Sequence, residues 1–206
     1  MDRYNSAKKA SILGVIGNVI LLLIKAMIGF ITNSRAMIAD AANSAGDIFS
    51  SLMTLIGNKI AATPADEDHN LGHGKAEYIY SLLISIVMIA MGLTVGIDSI
   101  KNLIEGREFT FSIWLIVVCL LTIFTKFILY LYTKKIAQKY NNLLMKANCM
   151  DHRNDCIITC TNLVAIILGS FGIYIVDSIV GAGISIWIIF TGVGIFKESY
   201  DVLMDK

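Results

Sequence analysis

Proline is nearly missing from this 206-residue sequence, with Pro64 the single example, which argues against a loop-rich or disordered chain. Charge is scarce as well: Asp, Glu, Lys and Arg make up 16 %, against about a quarter in a soluble domain. The net charge of +1 leaves no basic footprint for nucleic acid. Histidine occurs three times, as His69, His73 and His152, and no HExxH motif is formed. That removes the two-histidine signature expected of an intramembrane metalloenzyme, so the sequence does not read as an enzyme. The four cysteines, Cys119, Cys149, Cys156 and Cys160, lie in or beside apolar runs with no CxxC spacing, and read as buried free thiols. Alternating segments of the kind that build a membrane barrel are also missing.

What the sequence has instead is apolar residue, 56 % of the total, with a mean hydropathy of +0.69. The excess is gathered into six runs, near residues 10–31, 36–60, 77–100, 112–133, 147–170 and 177–197. Each is long enough for a hydrocarbon layer of about 30 Å. A spanning segment must satisfy its own backbone, so helices are expected. The fold class is thus an all-α integral membrane protein with six transmembrane helices, seated in a lipid bilayer. The leading "MDRYNSAKKA" is polar and basic, but the run behind it exceeds the roughly 7–15 residues of a signal-peptide core, and reads as a retained span. With both termini inside, the inner segments hold Arg3, Lys8, Lys9, Lys59, Lys75, Lys134, Lys135, Lys139, Lys146, Lys197 and Lys206. The outer loops hold only Arg35, Lys101 and Arg107, so both termini are expected in the cytoplasm.

Two of the runs carry acids. The second contains "NSAGD", residues 43–47, and the fifth opens with "DHRND", residues 151–155. Residues four apart share a helix face, so Asn43 pairs with Asp47, and Asp151 with Asp155. Two such helices side by side would gather three carboxylates and one amide carbonyl around a space the size of an ion. Hard oxygen ligands suit Mn²⁺, Mg²⁺ or Ca²⁺, whereas Zn²⁺ prefers His and Cys. Asp151 alone, at the start of its run, has the bland alternative of a helix cap. Asp47 lies about eleven residues into its span, where an uncompensated carboxylate costs about 2.5–3.5 kcal/mol on insertion scales. Asp40 falls near the Asn43 face and reads as an entry-path or supporting group. His152 sits about 100° around the helix from Asp151 and reads as a neighbour rather than a ligand. Lys25 and Lys126 read equally as counter-ions or as snorkelling side chains. Cys149, Cys156 and Cys160 share a face and offer a soft-ligand alternative to the oxygens.

The six runs, the polar pairs in the second and fifth, and the loop "PADEDHNLGHGKAE" at 64–77 together resemble the transmembrane part of a cation diffusion facilitator. The "GHGKAE" after an acidic, His-containing stretch is the most specific piece. The resemblance covers nearly the whole chain and implies proton-coupled efflux of a divalent transition metal, with no prosthetic group. In zinc-transporting members the central site is two Asp on the second span with His and Asp on the fifth. Here Asn43 stands for the first Asp and Asp151 for the His, the pattern of the manganese-transporting branch. The resemblance therefore implies a Mn²⁺/H⁺ antiporter with Asn43, Asp47, Asp151 and Asp155 as metal ligands, and Asp47, Asp151 and Asp155 as proton carriers. Fe²⁺, Zn²⁺ and Cd²⁺ are the alternative substrates, and a non-transporting membrane scaffold is the rival from another class. Asp66, His69 and His73 match a secondary loop metal site of zinc-transporting relatives. Lys75 and Asp205 match a charge pair near a homodimer interface. The family continues into a cytoplasmic metal-binding domain that this sequence does not contain, and the implied location is the bacterial cytoplasmic membrane.

Overall fold

The computed structural model of the chain describes residues 2–31, 35–64, 72–105, 113–171 and 175–205. It is all-helical, with six helices in chain order: α1 Asp2–Ile31, α2 Arg35–Ala61, α3 Ala76–Glu105, α4 Ile113–Tyr140, α5 Leu143–Ser170 and α6 Ile175–Leu203. No strand occurs among the described residues. α1, α3, α4 and the Ser178–Leu203 part of α6 are long and apolar enough to cross a membrane. Only 22–28 % of their apolar windows is buried inside the protein, so most of that surface faces outward, as lipid requires. Along α1, Leu13, Ile16, Ile20, Leu23, Met27 and Phe30 make one exposed stripe at helical spacing. α2 and α5 are as long, 27 and 28 residues, but carry the polar residues.

The polarity is thus turned inside out. Buried at the centre are Asn18, Lys25, Ser44, Asp47, Ser51, Lys126, Asn148, Asp151, His152, Asn154 and Asp155. Three helix pairs dominate the packing: α1 with α2, α4 with α5, and α3 with α6. Each pair runs antiparallel: Asn18 faces Asp47 while Lys25 faces Ser44, Lys126 faces Asp155 while Tyr130 faces Cys149, and Gly92 faces Ile189 while Ser99 faces Gly181. The α3–α6 seam depends on missing side chains. A Cβ on Gly92 would meet Ile189 at 2.7 Å, and one on Gly192 would meet Ile89 at 2.7 Å. Where lipid removes the hydrophobic drive between helices, such close approach supplies the contact. α2 and α5 touch each other and so join the pairs, α2 also meeting α3 and α5 also meeting α6 and α3.

One end of the bundle holds both chain termini and is tied by polar contacts. Glu77, buried at the start of α3, accepts from the Leu143 backbone N–H at 2.6 Å and pairs with Arg3 of α1. The α4–α5 turn places Asn141 at φ 46, a left-handed value that Asn tolerates. Asn142 then caps α5, accepting from Met145 N–H at 2.7 Å and donating to Asn58 Oδ1 of α2 at 2.8 Å. These bonds fix where α5 begins, and hence the height at which Asp151 and Asp155 sit opposite Asp47.

A candidate metal site between α2, α4 and α5

Asp47 on α2 and Asp151 and Asp155 on α5 are all buried, at 2 %, 1 % and 4 % exposure. Lys126, halfway along α4 and fully buried, joins them. Its Nζ donates to Asp47 Oδ2 at 2.7 Å and to Asp155 Oδ2 at 2.5 Å. One ammonium therefore bridges carboxylates from two helices while sitting on a third. The Asp47 backbone is held from α1: Asn18 Nδ2 donates to the Asp47 carbonyl at 3.0 Å and to Ser51 Oγ at 3.0 Å.

Several atoms in this cluster remain unsatisfied. Asp47 Oδ1, Asp155 Oδ1, Asp151 Oδ2 and both ring nitrogens of His152 are buried without a hydrogen-bond partner among the described residues. Buried polar atoms are expensive to leave unpaired, and such a concentration marks a place for ions or water. Asp151, His152 and Asp155 each present a ligand atom, all within 4.8 Å of one another. His152 thus joins the acids, although helical spacing set it aside. A step of about 100° on the helix wheel separates Cα positions, not ring nitrogens, and the imidazole reaches back across it.

The remaining expected residues fall in different places. Asn43 is exposed and is not buried with the three acids. Asp40 is half-buried and pairs with Lys25 of α1, Nζ to Oδ2 at 3.0 Å, while Lys25 also donates to Ser44 Oγ at 3.1 Å. Both intramembrane lysines are therefore counter-ions and neither snorkels. Asp66 and His69 lie outside the described residues. His73 is half-buried, with Nδ1 3.3 Å from the Pro64 carbonyl oxygen. Lys75 and Asp205 form an exposed ion pair at 2.9 Å within the chain. The thiols do not converge on the acids: Cys149 and Cys156 donate to the α4 carbonyls of Tyr130 and Ile123, each at 3.8 Å, and Cys160 is exposed.

Sequence reasoning left Lys126 open between counter-ion and snorkelling side chain, and set His152 beside the acids as a neighbour rather than among them. A signal for Lys126 was present: an ammonium at the midpoint of the 28-residue α4 is too far from either end to snorkel with ease.

A bundle apolar outside and charged at its centre defines a polytopic membrane protein whose buried acids and lysines mark its functional site. Comparison with known proteins narrows the class. The profile of the cation efflux transmembrane domain matches residues 11–204. The chain belongs to the cation efflux family; it is a metal-efflux transporter and not an enzyme. It is similar to an uncharacterized transporter of Methanocaldococcus jannaschii, at 30 % identity over 97 % of this chain and 70 % of that protein. It is similar to the manganese efflux system protein MneS of Bacillus subtilis, at 30 % identity over 100 % of this chain and 72 % of the relative. The cation-efflux pump FieF of Cronobacter sakazakii is 26 % identical over 96 % of this chain and 66 % of its own length. The apolar helices and the match to a transmembrane domain together make it an integral membrane protein.

Proposed function

We propose that the chain exports Mn²⁺ from the cytoplasm in exchange for protons, with Asp47, Asp151 and Asp155 as the intramembrane ligands. The observation that carries this reading is three buried carboxylates, Asp151 beside Asp155 on α5 and Asp47 of α2 tied to Asp155 through Lys126, each with an oxygen left unpartnered among the described residues. Carboxylate oxygens favour a hard or borderline dication. Relatives named for manganese efflux support the choice of metal. Asn43, one turn before Asp47 on α2, completes the shell in a conformation that turns it inward. Protons and metal compete for the same oxygens, so an inward proton gradient drives metal release outside. Both termini face the cytoplasm on this reading, and two copies associate with the Lys75–Asp205 pair near their interface. The loop residues Asp66, His69 and His73 form a secondary metal site.

A second reading is favoured by His152. An imidazole nitrogen within 4.8 Å of the Asp151 and Asp155 oxygens makes the site more hospitable to Zn²⁺ or Fe²⁺ than oxygens alone. The test is a flux assay in proteoliposomes across Mn²⁺, Fe²⁺, Zn²⁺ and Cd²⁺ with the pH gradient clamped. Mn²⁺ should move fastest, and collapsing the gradient should stop net transport. Faster Zn²⁺ than Mn²⁺ flux decides for the second reading, and gradient-independent flux refutes the antiport.

A further inference from the structure

We propose that Lys126 is a tethered cation that occupies the transport site while metal is absent and is displaced when metal binds. This rests on the reading of Asp47, Asp151 and Asp155 as the metal site. Three observations support it. The ammonium sits between carboxylates of α2 and α5, at 2.7 and 2.5 Å, in the place where a cation shared by the two helices belongs. It contributes no ligand of its own, since an ammonium has three donors and no acceptor. The site also contains somewhere for it to go: Thr122 Oγ1, one turn earlier on the same face of α4, is buried and without a partner among the described residues.

Metal and ammonium cannot share the bridging oxygens. A dication sits about 2.0–2.6 Å from carboxylate oxygen, inside the shell that Nζ now fills. Like charges that close repel strongly where water is scarce. The lysine stem is flexible and carries a compact head, so the swap needs side-chain rotation and not helix movement. The functional consequence concerns the return half of the cycle. After metal release the carboxylates must travel back through the membrane, and bare buried carboxylates are costly. Lys126 offsets one of the three negative charges of Asp47, Asp151 and Asp155 on that leg without leaving the protein, and the protons carried back offset the others. The residue therefore weakens metal binding and speeds the metal-free return.

The two effects separate in one experiment on the full chain in proteoliposomes. Lys126→Met keeps the length of the side chain and removes its charge. Expected are Mn²⁺ binding about tenfold tighter by calorimetry and net Mn²⁺ efflux slowed at least about tenfold, with Mn²⁺/Mn²⁺ exchange slowed clearly less than net efflux. Lys126→Arg keeps a cation and should restore part of the net efflux. Unchanged or weaker Mn²⁺ binding in a folded Lys126→Met protein overturns the proposal, as does an equal loss of exchange and net efflux. Should that variant not fold, the wild-type structure with Mn²⁺ bound decides. Nζ moved away from both carboxylates is the expected result; Nζ still hydrogen-bonded to both overturns it. Failure of the wild type to bind Mn²⁺, or full transport in Asp47→Asn, strikes instead at the site reading beneath.

Discussion

Replacing Asp47 by Asn keeps the outline of the side chain and removes one charge from the centre of the bundle. Lys126 then loses a carboxylate at 2.7 Å but keeps Asp155 at 2.5 Å. Stripping a buried charge of its sole partner costs about 3–5 kcal/mol; with a second partner retained and an amide oxygen still able to accept, about 1–3 kcal/mol is expected. That is enough to lower the unfolding midpoint in detergent and too little to prevent insertion. Transport should suffer far more, because the metal loses one of its charged ligands outright: net Mn²⁺ flux should fall to background. The pairing itself is read by a double-mutant cycle with Lys126→Met. The two changes together should cost less than their sum, by about 0.5–3 kcal/mol, because the second removes a partner already lost. Additive costs would falsify the bridging geometry, and wild-type Mn²⁺ flux in Asp47→Asn would remove this residue from the transport site.

Asp151→His combined with Asn43→Asp should move preference from Mn²⁺ toward Zn²⁺, since it supplies an imidazole and a further carboxylate; an unchanged Mn²⁺/Zn²⁺ flux ratio in liposomes counts against ligand control of selectivity. Gly192→Val should separate α3 from α6, because a Cβ there already meets Ile89 at 2.7 Å; overpacking costs about 1–3 kcal/mol, visible as a lowered unfolding midpoint, and no change would mean the seam relaxes freely. Glu77→Gln keeps an acceptor for the Leu143 N–H but loses the charge facing Arg3, a cost of about 1–2 kcal/mol. If its unfolding midpoint equals that of the wild type, the polar tie at that end of the bundle does not hold α5 in place.

The sequence by itself determined that the chain is helical, that it lives in a membrane, and that Asp47, Asp151 and Asp155 are the residues to explain. Each of those follows from local rules: apolar run length against bilayer thickness, backbone hydrogen bonds with no water to meet them, and the cost of a carboxylate in lipid. Helical spacing placed Asp151 and Asp155 on one face without reference to any other helix. Only the tertiary structure decided what faces them. Lys126 is twenty-nine residues from Asp155 and seventy-nine from Asp47. No periodicity says that α4 presents its ammonium to both, or that Lys25 turns to Asp40 instead. The same holds for His152, whose ring nitrogen lies within 4.8 Å of the Asp151 and Asp155 oxygens, and for Asn43, which is exposed while Asp47 one turn on is buried. A helix wheel fixes angles within one helix; the partner of a buried charge is fixed by which helices pack, at what height, and around which axis.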